Sequence, residues 1–392
     1  MSEILELEIE RILPGGVGLA HADNKTFFVT LAAPGDRVRV RVDRTQGTIS
    51  FASIVEVLSP SPERIEPPCP YFGRCGGCDF QQLNYEAQLK AKSEIIKDCL
   101  HRITKLEQIP EIKVTPSPQE WRYRGRATWQ IDREKRSIGY YERGSRTVCD
   151  VAECAVLTPE LQAVLEQIRA VDWSNVPADL KHLEVTAREG SSSFSPEFAN
   201  YRTETIDRQV GDDTYAYNAA AFFQANEFLL SPLVAAAMGD TSGKLAVDLY
   251  SGVGLFTIAL ARRFTQVIAV ESSTKAIRFA RANLRNAELH NAKVLGITST
   301  EWFRDNPSKP GSVDFLLLDP PRVGAESTVI KGILSMQPRR ICYVSCDPAT
   351  LARDLKKLLA GGYELSSIEA FDMFPQTHHV ETVVHLSLRG VE

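Results

Sequence analysis

The sequence lacks the features that direct a chain into or across a membrane. Its first residues, Met1-Ser-Glu-Ile-Leu-Glu-Leu-Glu, carry acids where a signal peptide has a basic start followed by an apolar core. No apolar stretch approaches the roughly 20 residues that a membrane-spanning helix needs. These absences predict a soluble, cytoplasmic protein that has no membrane partner.

The sequence also lacks an excess of positive charge. Its 392 residues include 45 Lys and Arg against 50 Asp and Glu, which gives a formal charge of −5. This balance excludes a protein that grips nucleic acid over its whole surface, but it allows a local basic track. The length exceeds what one hydrophobic core usually organises, so we expect two or three globular domains. Nothing in the sequence indicates an obligatory protein partner.

Cysteine is scarce, with eight residues, and three of these stand close together. Cys69, Cys75 and Cys78 are separated partly by glycines, which let a backbone wrap around a metal group. In a cytosolic chain this spacing is typical of a metal site or catalysis rather than of disulfides. A cluster held by cysteines needs a fourth thiolate as a ligand, and Cys149 and Cys154 are the candidates. An iron–sulfur cluster is favoured, and a zinc ion with similar ligands is the alternative.

The first 58 residues differ in pattern from the 160 that follow. Residues 1–58 form short alternating runs separated by turns, which predicts a small closed barrel of the OB type. Arg37, Arg39 and Arg41 share one strand face there, which suits a solvated surface and an RNA-contacting stripe equally well. After a proline-rich linker, residues 59–218 are expected to form a central α+β domain. Its helix over 82–106 is expected to pack on the domain that follows.

Residues 117–146 form a local basic segment within the central domain. They include eight basic and four acidic residues, with aromatic residues interleaved among the arginines. Such interleaving suits pairing with phosphates and stacking on bases. Arg122, Arg124 and Arg126 are therefore candidate RNA contacts, and an ordinary exposed hairpin is the alternative.

Residues 219–392 alternate between apolar strands and helices. Strands are predicted over 245–250, 266–271, 313–319 and 340–345, with helices over 255–263 and 273–287. Near-continuous apolar strands separated by helices are typical of a doubly wound, mostly parallel sheet. The fold class is therefore α/β, with a Rossmann-like C-terminal domain preceded by two smaller domains.

The first strand of this sheet leads through Asp248 into a glycine-rich turn, where such sheets bind nucleotides. Glu271, at the tip of the next strand, suits the two hydroxyl groups of a ribose. A dinucleotide motif would place its third glycine at Thr257, so S-adenosylmethionine is preferred over NAD. Asp319-Pro-Pro-Arg322 ends another strand at the same edge. Arg322 is expected to hold a pyrimidine carbonyl or a phosphate, unless the segment is only a tight loop.

Cys346 follows the last apolar strand of this pattern. Asp347 is expected to cap the next helix and Pro348 to open it, which places the thiol at a helix N-terminus. Backbone N–H groups there favour a thiolate, so Cys346 is a candidate nucleophile. Cys342, earlier in the same strand, is expected to be a buried apolar filler.

Together these segments resemble the RNA (uracil-5-)-methyltransferase family over essentially the whole chain, and the 23S ribosomal RNA enzymes most of all. The resemblance identifies residues 1–58 as a TRAM domain and selects Cys154 over Cys149. It implies that Cys346 is the nucleophile and that Glu381, which ends Asp372-Met-Phe-Pro-Gln-Thr-His-His-Val-Glu381, is the general base. Leu255 departs from the asparagine of some members.

The resemblance also assigns the remaining site residues. The implied ligands of a [4Fe–4S] cluster are Cys69, Cys75, Cys78 and Cys154. The implied cofactor contacts are Gln224, Tyr250, Gly252, Glu271 and Asp319. The candidate substrate contacts are Phe223, Arg322, Arg122, Arg124 and Arg126.

The function implied is methylation of uridine C5 in RNA with S-adenosylmethionine as the methyl donor. Uracil C5 is a weak nucleophile, so a thiolate of Cys346 would add at C6 and Glu381 would then remove the C5 proton. The favoured substrate is 23S ribosomal RNA, and the T-loop of transfer RNA is the alternative. RNA cytosine-C5 methylation fits less well, because the loop at 319–322 has no cysteine. A non-catalytic iron–sulfur RNA-binding module is disfavoured by the complete set of motif residues.

Overall fold

The N-terminal strands close into a small barrel, in a computed structural model that describes residues 4–305 and 310–390. Its six strands are β1 (Ile4–Glu8), β2 (Arg11–Leu13), β3 (Val17–Ala22), β4 (Lys25–Thr30), β5 (Arg37–Gln46) and β6 (Ile49–Ser59). They pair in the order β1-β5-β6-β4-β3-β2. Because β1 runs almost directly into β2, one segment pairs with β5 at its start and with β3 at its end. This double pairing joins the two edges and closes the barrel.

The arginine face of the barrel is largely neutralised by acids on neighbouring strands. Val38 and Val40 are buried inside the barrel, as the alternation predicts. On the outer face, Arg37 bonds Glu6 at 3.0 Å and Arg39 bonds the same carboxylate at 3.1 Å. The structure therefore favours a solvated, ion-paired face over a free cationic stripe.

The central domain is an antiparallel sheet covered by one helix. Its elements are β8 (Arg126–Asp132), β9 (Ser137–Tyr141), β10 (Val148–Asp150), α2 (Pro159–Arg169), β11 (His182–Arg188) and β12 (Ser191–Ser195). The strands pair in the order β10-β9-β8-β11-β12, and the helix α2 packs on β11. Buried apolar residues of the sheet and the helix share one core, which includes Trp129, Leu165 and Leu183.

The C-terminal domain is the predicted doubly wound sheet. Its strands are β15 (Gly243–Leu249), β16 (Phe264–Glu271), β17 (Ala292–Gly296), β18 (Phe315–Leu318), β19 (Arg340–Ser345), β20 (Tyr363–Phe371) and β21 (Glu381–Leu388). Its helices are α3 (Leu230–Met238), α4 (Leu255–Ala261), α5 (Thr274–Asn286), α6 (Ser299–Asp305), α7 (Ser327–Met336) and α8 (Pro348–Ala360). The first five strands are parallel in the order β17-β16-β15-β18-β19, and β21 then pairs antiparallel with β19 and β20. The helices cover both faces, which confirms the predicted α/β class.

Parts of the chain before residue 219 complete this sheet. A helix α1 (Tyr85–Cys99), capped by Asn84, continues into a π-helical turn and leads to β7 (Val114–Thr115), which pairs with β20 at the edge. Ile96 and Leu100 are buried in the same core as the C-terminal strands. Helix α1 and the π-helical turn therefore pack on the strands of the C-terminal sheet.

A hairpin also lies on the far side of the expected boundary. Its strands are β13 (Ile206–Val210) and β14 (Asp213–Tyr217). The Tyr215 hydroxyl donates to the Leu255 carbonyl at 3.1 Å, and Asn283 bonds both backbone groups of Ala216. The hairpin thus packs with the C-terminal core while it also touches the central sheet, which a boundary after residue 218 does not represent.

In the described part of the chain, no helix has both the length and the apolar character needed to cross a membrane.

Candidate active site

The glycine-rich turn after β15 is held against the tip of β16. Gly252 has a φ of +55°, in the left-handed region that favours glycine, and its N–H donates to Glu271 Oε2 at 2.9 Å. The other oxygen of Glu271 accepts from the backbone N–H of Ser273 at 2.7 Å. The carboxylate is thus fixed at the carboxyl edge of the sheet, where the sequence predicts a ribose contact.

Tyr250 has a strained backbone in the same turn. Its φ is +61°, which is unfavourable for a residue with a side chain. Its hydroxyl is hydrogen-bonded to Glu326 at the start of α7. Strain of this kind persists where surrounding contacts hold it and is typical of ligand sites, and the cofactor role of Tyr250 stays a prediction.

The loop after β18 carries Arg322 and is held by helix α8. The Thr350 hydroxyl donates to the Arg322 carbonyl at 3.1 Å, and the Arg353 guanidinium donates to the Val323 carbonyl at 3.0 Å. Gly324 has a φ of +77°, and a Cβ there would lie 2.4 Å from a guanidinium nitrogen of Arg353. The loop therefore has a defined position beside the start of α8, where Cys346 lies.

Cys346 lies close to Glu381 where two antiparallel strands meet. Ser345, the last residue of β19, pairs with Thr382 in β21; Cys346 directly follows Ser345, and Glu381 directly precedes Thr382. The charge of Glu381 accordingly acts on the thiol of Cys346. Asp347 caps α8 by accepting from the Thr350 N–H at 2.8 Å, with Pro348 opening the helix as predicted.

The ionisable groups around Cys346 perturb one another. Burial raises the pKa of Cys346 to about 12, with Glu381 and Asp319 adding to the rise, while the charge and hydrogen bond of Arg322 oppose it. Burial raises the pKa of Asp319 to about 7. Burial, and then the charge of Asp319, raises the pKa of Glu381 well above its usual range. Burial and the neighbouring acids therefore act against the thiolate that the helix N-terminus favours, and Arg322 acts with the helix N-terminus.

The structure corrects the expected substrate role of Phe223. Its side chain is buried and stacks on Tyr217, with ring centroids 4.6 Å apart. The exposed ring belongs instead to Phe222, which is 65% exposed and which the sequence reasoning missed. The segment has neither helix nor strand periodicity, so no pattern indicates which of the two rings faces outward. Gln224, the next residue, is largely buried.

The three candidate arginines have three different environments. Arg126 is buried and donates to the carbonyls of Ala219 at 2.6 Å and Ala221 at 2.9 Å, so it is a structural residue and not an RNA contact. Arg122 is exposed on a backbone with a φ of +54° and remains a candidate RNA contact. Arg124 turns inward to a cavity lined by cysteines.

This cavity has a volume of about 220 Å³ and lies between the central domain and the loops of the C-terminal domain. It is lined by Cys69, Cys75, Cys78, Cys154, Arg322 and His379, among others. Cys149 is instead fully buried within the core of the central domain. In the two described ranges, no group of three or more His, Cys, Asp or Glu side chains converges to hold a single metal ion.

The charges at this cavity favour an anionic, thiolate-bound group. Arg124 donates from Nε to the Arg126 carbonyl at 2.9 Å, and no carboxylate among the described residues forms a salt bridge with it. A buried cation without a carboxylate is costly unless another anion is near. Burial raises the pKa of Cys75 to about 11, and it also raises the pKa of Cys78 and Cys154. These thiols ionise when a metal group replaces their protons.

Comparison with known proteins gives consistent matches over the chain. A family model described as tRNA (uracil-5-)-methyltransferase matches residues 182–389. A 23S rRNA (uracil(1939)-C(5))-methyltransferase RlmD from Pectobacterium atrosepticum is 31% identical over 97% of this chain and 92% of that protein. The protein of the same name from Alkalilimnicola ehrlichii is 31% identical over 97% of this chain and 96% of that protein.

A solved structure matches the whole architecture. It is the tRNA (uracil-54, C5)-methyltransferase of Pyrococcus abyssi in complex with S-adenosyl-L-homocysteine. The two proteins are 25% identical, with a TM-score of 0.73 over 98% of this chain and 100% of that one. The match covers the barrel, the central sheet and the doubly wound sheet together.

Proposed function

Because the chain belongs to the RNA (uracil-5-)-methyltransferase family, we propose that it methylates C5 of a uridine in 23S ribosomal RNA, with S-adenosylmethionine as the methyl donor. The observation that carries this proposal is the placement of Cys346 close to Glu381 and beside Arg322. A nucleophile, a base and a cation at one point of the cofactor edge are the groups that this reaction needs. An RNA cytosine-C5 reaction is disfavoured, since the loop at 319–322 supplies no cysteine.

Cys346 acts first in the proposed mechanism. Its sulfur forms a bond to uracil C6, and the electrons of the C5–C6 bond make C5 nucleophilic. S-adenosylmethionine, when bound, would supply the methyl group: C5 would form a bond to the methyl carbon as the bond from that carbon to the sulfonium sulfur breaks, and the sulfur would keep the electrons. Arg322 stabilises the thiolate of Cys346 before addition, through its positive charge and its hydrogen bond to the sulfur. The uridine must leave its stack to reach this buried site.

Glu381 completes the reaction by taking the C5 proton. When this proton leaves, its electrons restore the C5–C6 bond, and the bond between C6 and Cys346 breaks. A base must be ionised but close in pKa to the working pH, which a carboxylate achieves only when its pKa is raised. Burial and then the charge of Asp319 raise the pKa of Glu381, while the positive charge of Arg322 opposes the rise.

We propose that Cys69, Cys75, Cys78 and Cys154 hold a [4Fe–4S] cluster. The four side chains line one cavity, together with the cation Arg124. Cys149 lies beside Cys75 but on its core side, buried within the central domain. Thiols that surround a cavity without converging on one point suit a multi-atom group better than a zinc ion. The cluster's proposed contribution is structural, because the methylation chemistry contains no redox step.

The RNA-binding surface is proposed to lie around the site rather than on the barrel's arginine face. Arg122 and Phe222 are exposed, and they offer a phosphate partner and a stacking ring. The TRAM-like barrel contributes surface next to the site, since its turn at Gly16 lies against His378. Arg37 and Arg39 add little net charge, because they are paired with acids.

A transfer RNA substrate is the second candidate. The matched structure from Pyrococcus abyssi is named for uracil-54 of tRNA, and it shares the three-part architecture. Ribosomal RNA is favoured because relatives named for 23S rRNA share a higher identity with this chain. Deleting the gene and mapping the missing 5-methyluridine in both RNAs by nucleoside mass spectrometry decides between them.

Two variants test the catalytic assignment. Cys346→Ala should abolish methyl transfer but retain cofactor binding, while the matched Cys342→Ala should remain active because Cys342 is buried within β19. Glu381→Gln should accumulate a covalent protein–RNA adduct that survives a denaturing gel. Methylation by Cys346→Ala, or full turnover by Glu381→Gln without an adduct, would reject the respective role.

A further inference from the structure

The loop that leads into Glu381 is held by residues from outside its own strands. It covers residues 372–380, between β20 and β21. At its start, the fully buried Lys92 of α1 pairs with Asp372 and also donates to the Phe374 carbonyl at 3.1 Å. The Tyr123 hydroxyl donates to the Pro375 carbonyl at 2.9 Å. The first half of the loop is therefore fastened to α1 and to the central domain.

The middle of the loop is fastened to the segment that follows the cysteines. The side chains of Gln88 and Gln376 are joined by a hydrogen bond of 3.0 Å, and Gln88 Oε1 also accepts from the Gln376 N–H at 2.9 Å. The Gln376 carbonyl accepts from the backbone N–H groups of Asp79 at 3.1 Å and Phe80 at 3.0 Å. This part of the loop thus runs alongside the chain just after Cys78.

Asp79 contacts His378, which lies shortly before Glu381 along the chain. Its Oδ1 accepts from the His378 N–H at 2.7 Å, and its Oδ2 is bonded to His378 Nδ1 at 2.5 Å. The pair is mostly shielded, with side-chain exposures of 15% for Asp79 and 25% for His378. His378 is also confined by Gly16, where an added Cβ would lie 3.0 Å from the His378 Cβ. The carboxylate therefore fixes both the backbone and the ring of His378.

We propose that Asp79 is a positioning residue for Glu381, which it holds in place through His378 and the short segment that follows it. The proposal rests on the role of Glu381 as general base. Asp79 directly follows Cys78, so one short segment carries both a cysteine of the cavity and the clamp on the catalytic loop. The cysteine segment consequently acts on proton removal without contacting the uracil ring.

The reaction itself distinguishes positioning from general stability. If Glu381 is displaced, Cys346 can still add to uracil and C5 can still be methylated, but loss of the C5 proton is slowed. The covalent adduct then accumulates, as it does in Glu381→Gln. A general loss of structure would instead weaken cofactor binding and lower adduct formation.

The test compares Asp79→Ala with wild type, using labelled cofactor and an unmodified 23S rRNA transcript. We expect kcat to fall by roughly ten- to hundredfold, as for a displacement of about 1 Å at a catalytic group. KM for the cofactor should stay within about twofold, and the adduct should be visible on denaturing gels. The matched control is Asp98→Asn, which breaks a 2.8 Å salt bridge to Arg11 between α1 and the barrel. This control should behave as wild type.

The outcomes separate the inference from the mechanism on which it rests. Asp79→Ala with wild-type kcat, or with a low kcat and no adduct, overturns the positioning role. Glu381→Gln without an adduct rejects the base assignment instead, whatever Asp79→Ala does. If Asp79→Ala does not fold, Asp79→Asn takes its place, because it keeps an oxygen for the His378 N–H. For Asp79→Asn, a smaller rise in the amount of adduct supports the proposal, and the absence of any rise overturns it.

Discussion

Replacing Arg322 with methionine should slow the bond formation between Cys346 and uracil. Arg322 is the cation that opposes the rise in the pKa of Cys346. With a pKa of about 12, only about one thiol in 10⁴ is ionised at pH 8, because each pH unit changes the ratio tenfold. The reactive thiolate is thus scarce, and a group that stabilises it controls the rate of addition.

The magnitude follows from the interaction that is lost. A hydrogen bond to a charged group contributes about 1.5–3 kcal/mol, which corresponds to roughly a ten- to hundredfold change in the thiolate fraction. Arg322→Met should therefore lower the rate of addition by about this factor. The rate of addition for Arg322→Lys should lie between those of wild type and Arg322→Met, because lysine keeps the charge but lacks the planar guanidinium group.

The assay is single-turnover adduct formation on denaturing gels, with every variant carrying Glu381→Gln so that the adduct persists. The logarithm of the rate should rise with pH at a slope near one between about pH 7 and 9, since the thiol must ionise. The line for Arg322→Met should be parallel and displaced downward. A deficit that disappears at saturating RNA would refute this reasoning, because Arg322 would then bind RNA rather than stabilise the thiolate.

Further predictions concern the cysteine cavity, the exposed ring and a buried acid. Cys154→Ser should lose the brown chromophore and about four iron atoms per chain, measured by iron analysis, while Cys149→Ser should retain them. Phe222→Ala should weaken RNA binding by about 1–3 kcal/mol in a filter-binding assay without changing stability. Phe223→Ala should lower the free energy of unfolding by about 3–5 kcal/mol, as for a buried ring. Burial raises the pKa of Asp248 to about 7, so the folded state binds a proton that the unfolded state releases, and stability is lost as pH rises towards 7. Asp248→Asn removes this loss, so urea unfolding should find no difference near pH 4 and a gain of up to about 4 kcal/mol at pH 8.

Local signals were sufficient to predict the parallel strands and the start of α8. Buried strands read as continuous apolar runs, and Asp347 with Pro348 forms a cap and a first turn within a few residues. The proximity of Cys346 to Glu381 was less accessible, because it depends on the register between β19 and β21. The resemblance supplied both residues, and the register explains why they meet.

Other features depend on contacts between distant parts of the chain. Arg126 belongs to a basic segment that suggests RNA, yet its partners are carbonyls near residue 220, which no local pattern indicates. The contact of Arg322 with Cys346 likewise arises where two loops meet. The helix N-terminus predicted a thiolate at Cys346, but it could not show how far the site is buried or how many acids face it. Burial and the acids that face Cys346 act against the thiolate that the helix N-terminus favours.

The catalytic unit is therefore larger than the doubly wound sheet. A boundary after residue 218 would remove β7 from the edge of the sheet and leave Ala370 and Phe371, at the end of β20, without their strand partners. It would also remove Ile96 and Leu100 from the core, together with the hairpin that packs on α5. Loss of Lys92 and Asp79 would also deprive the loop before Glu381 of the contacts that these two residues make with it. Strand pairing with Phe371 fixes the backbone of Glu381, and the contacts of Lys92 and Asp79 fix the loop that leads into it. The surroundings of Glu381 therefore depend on chain segments that precede the sheet by more than a hundred residues.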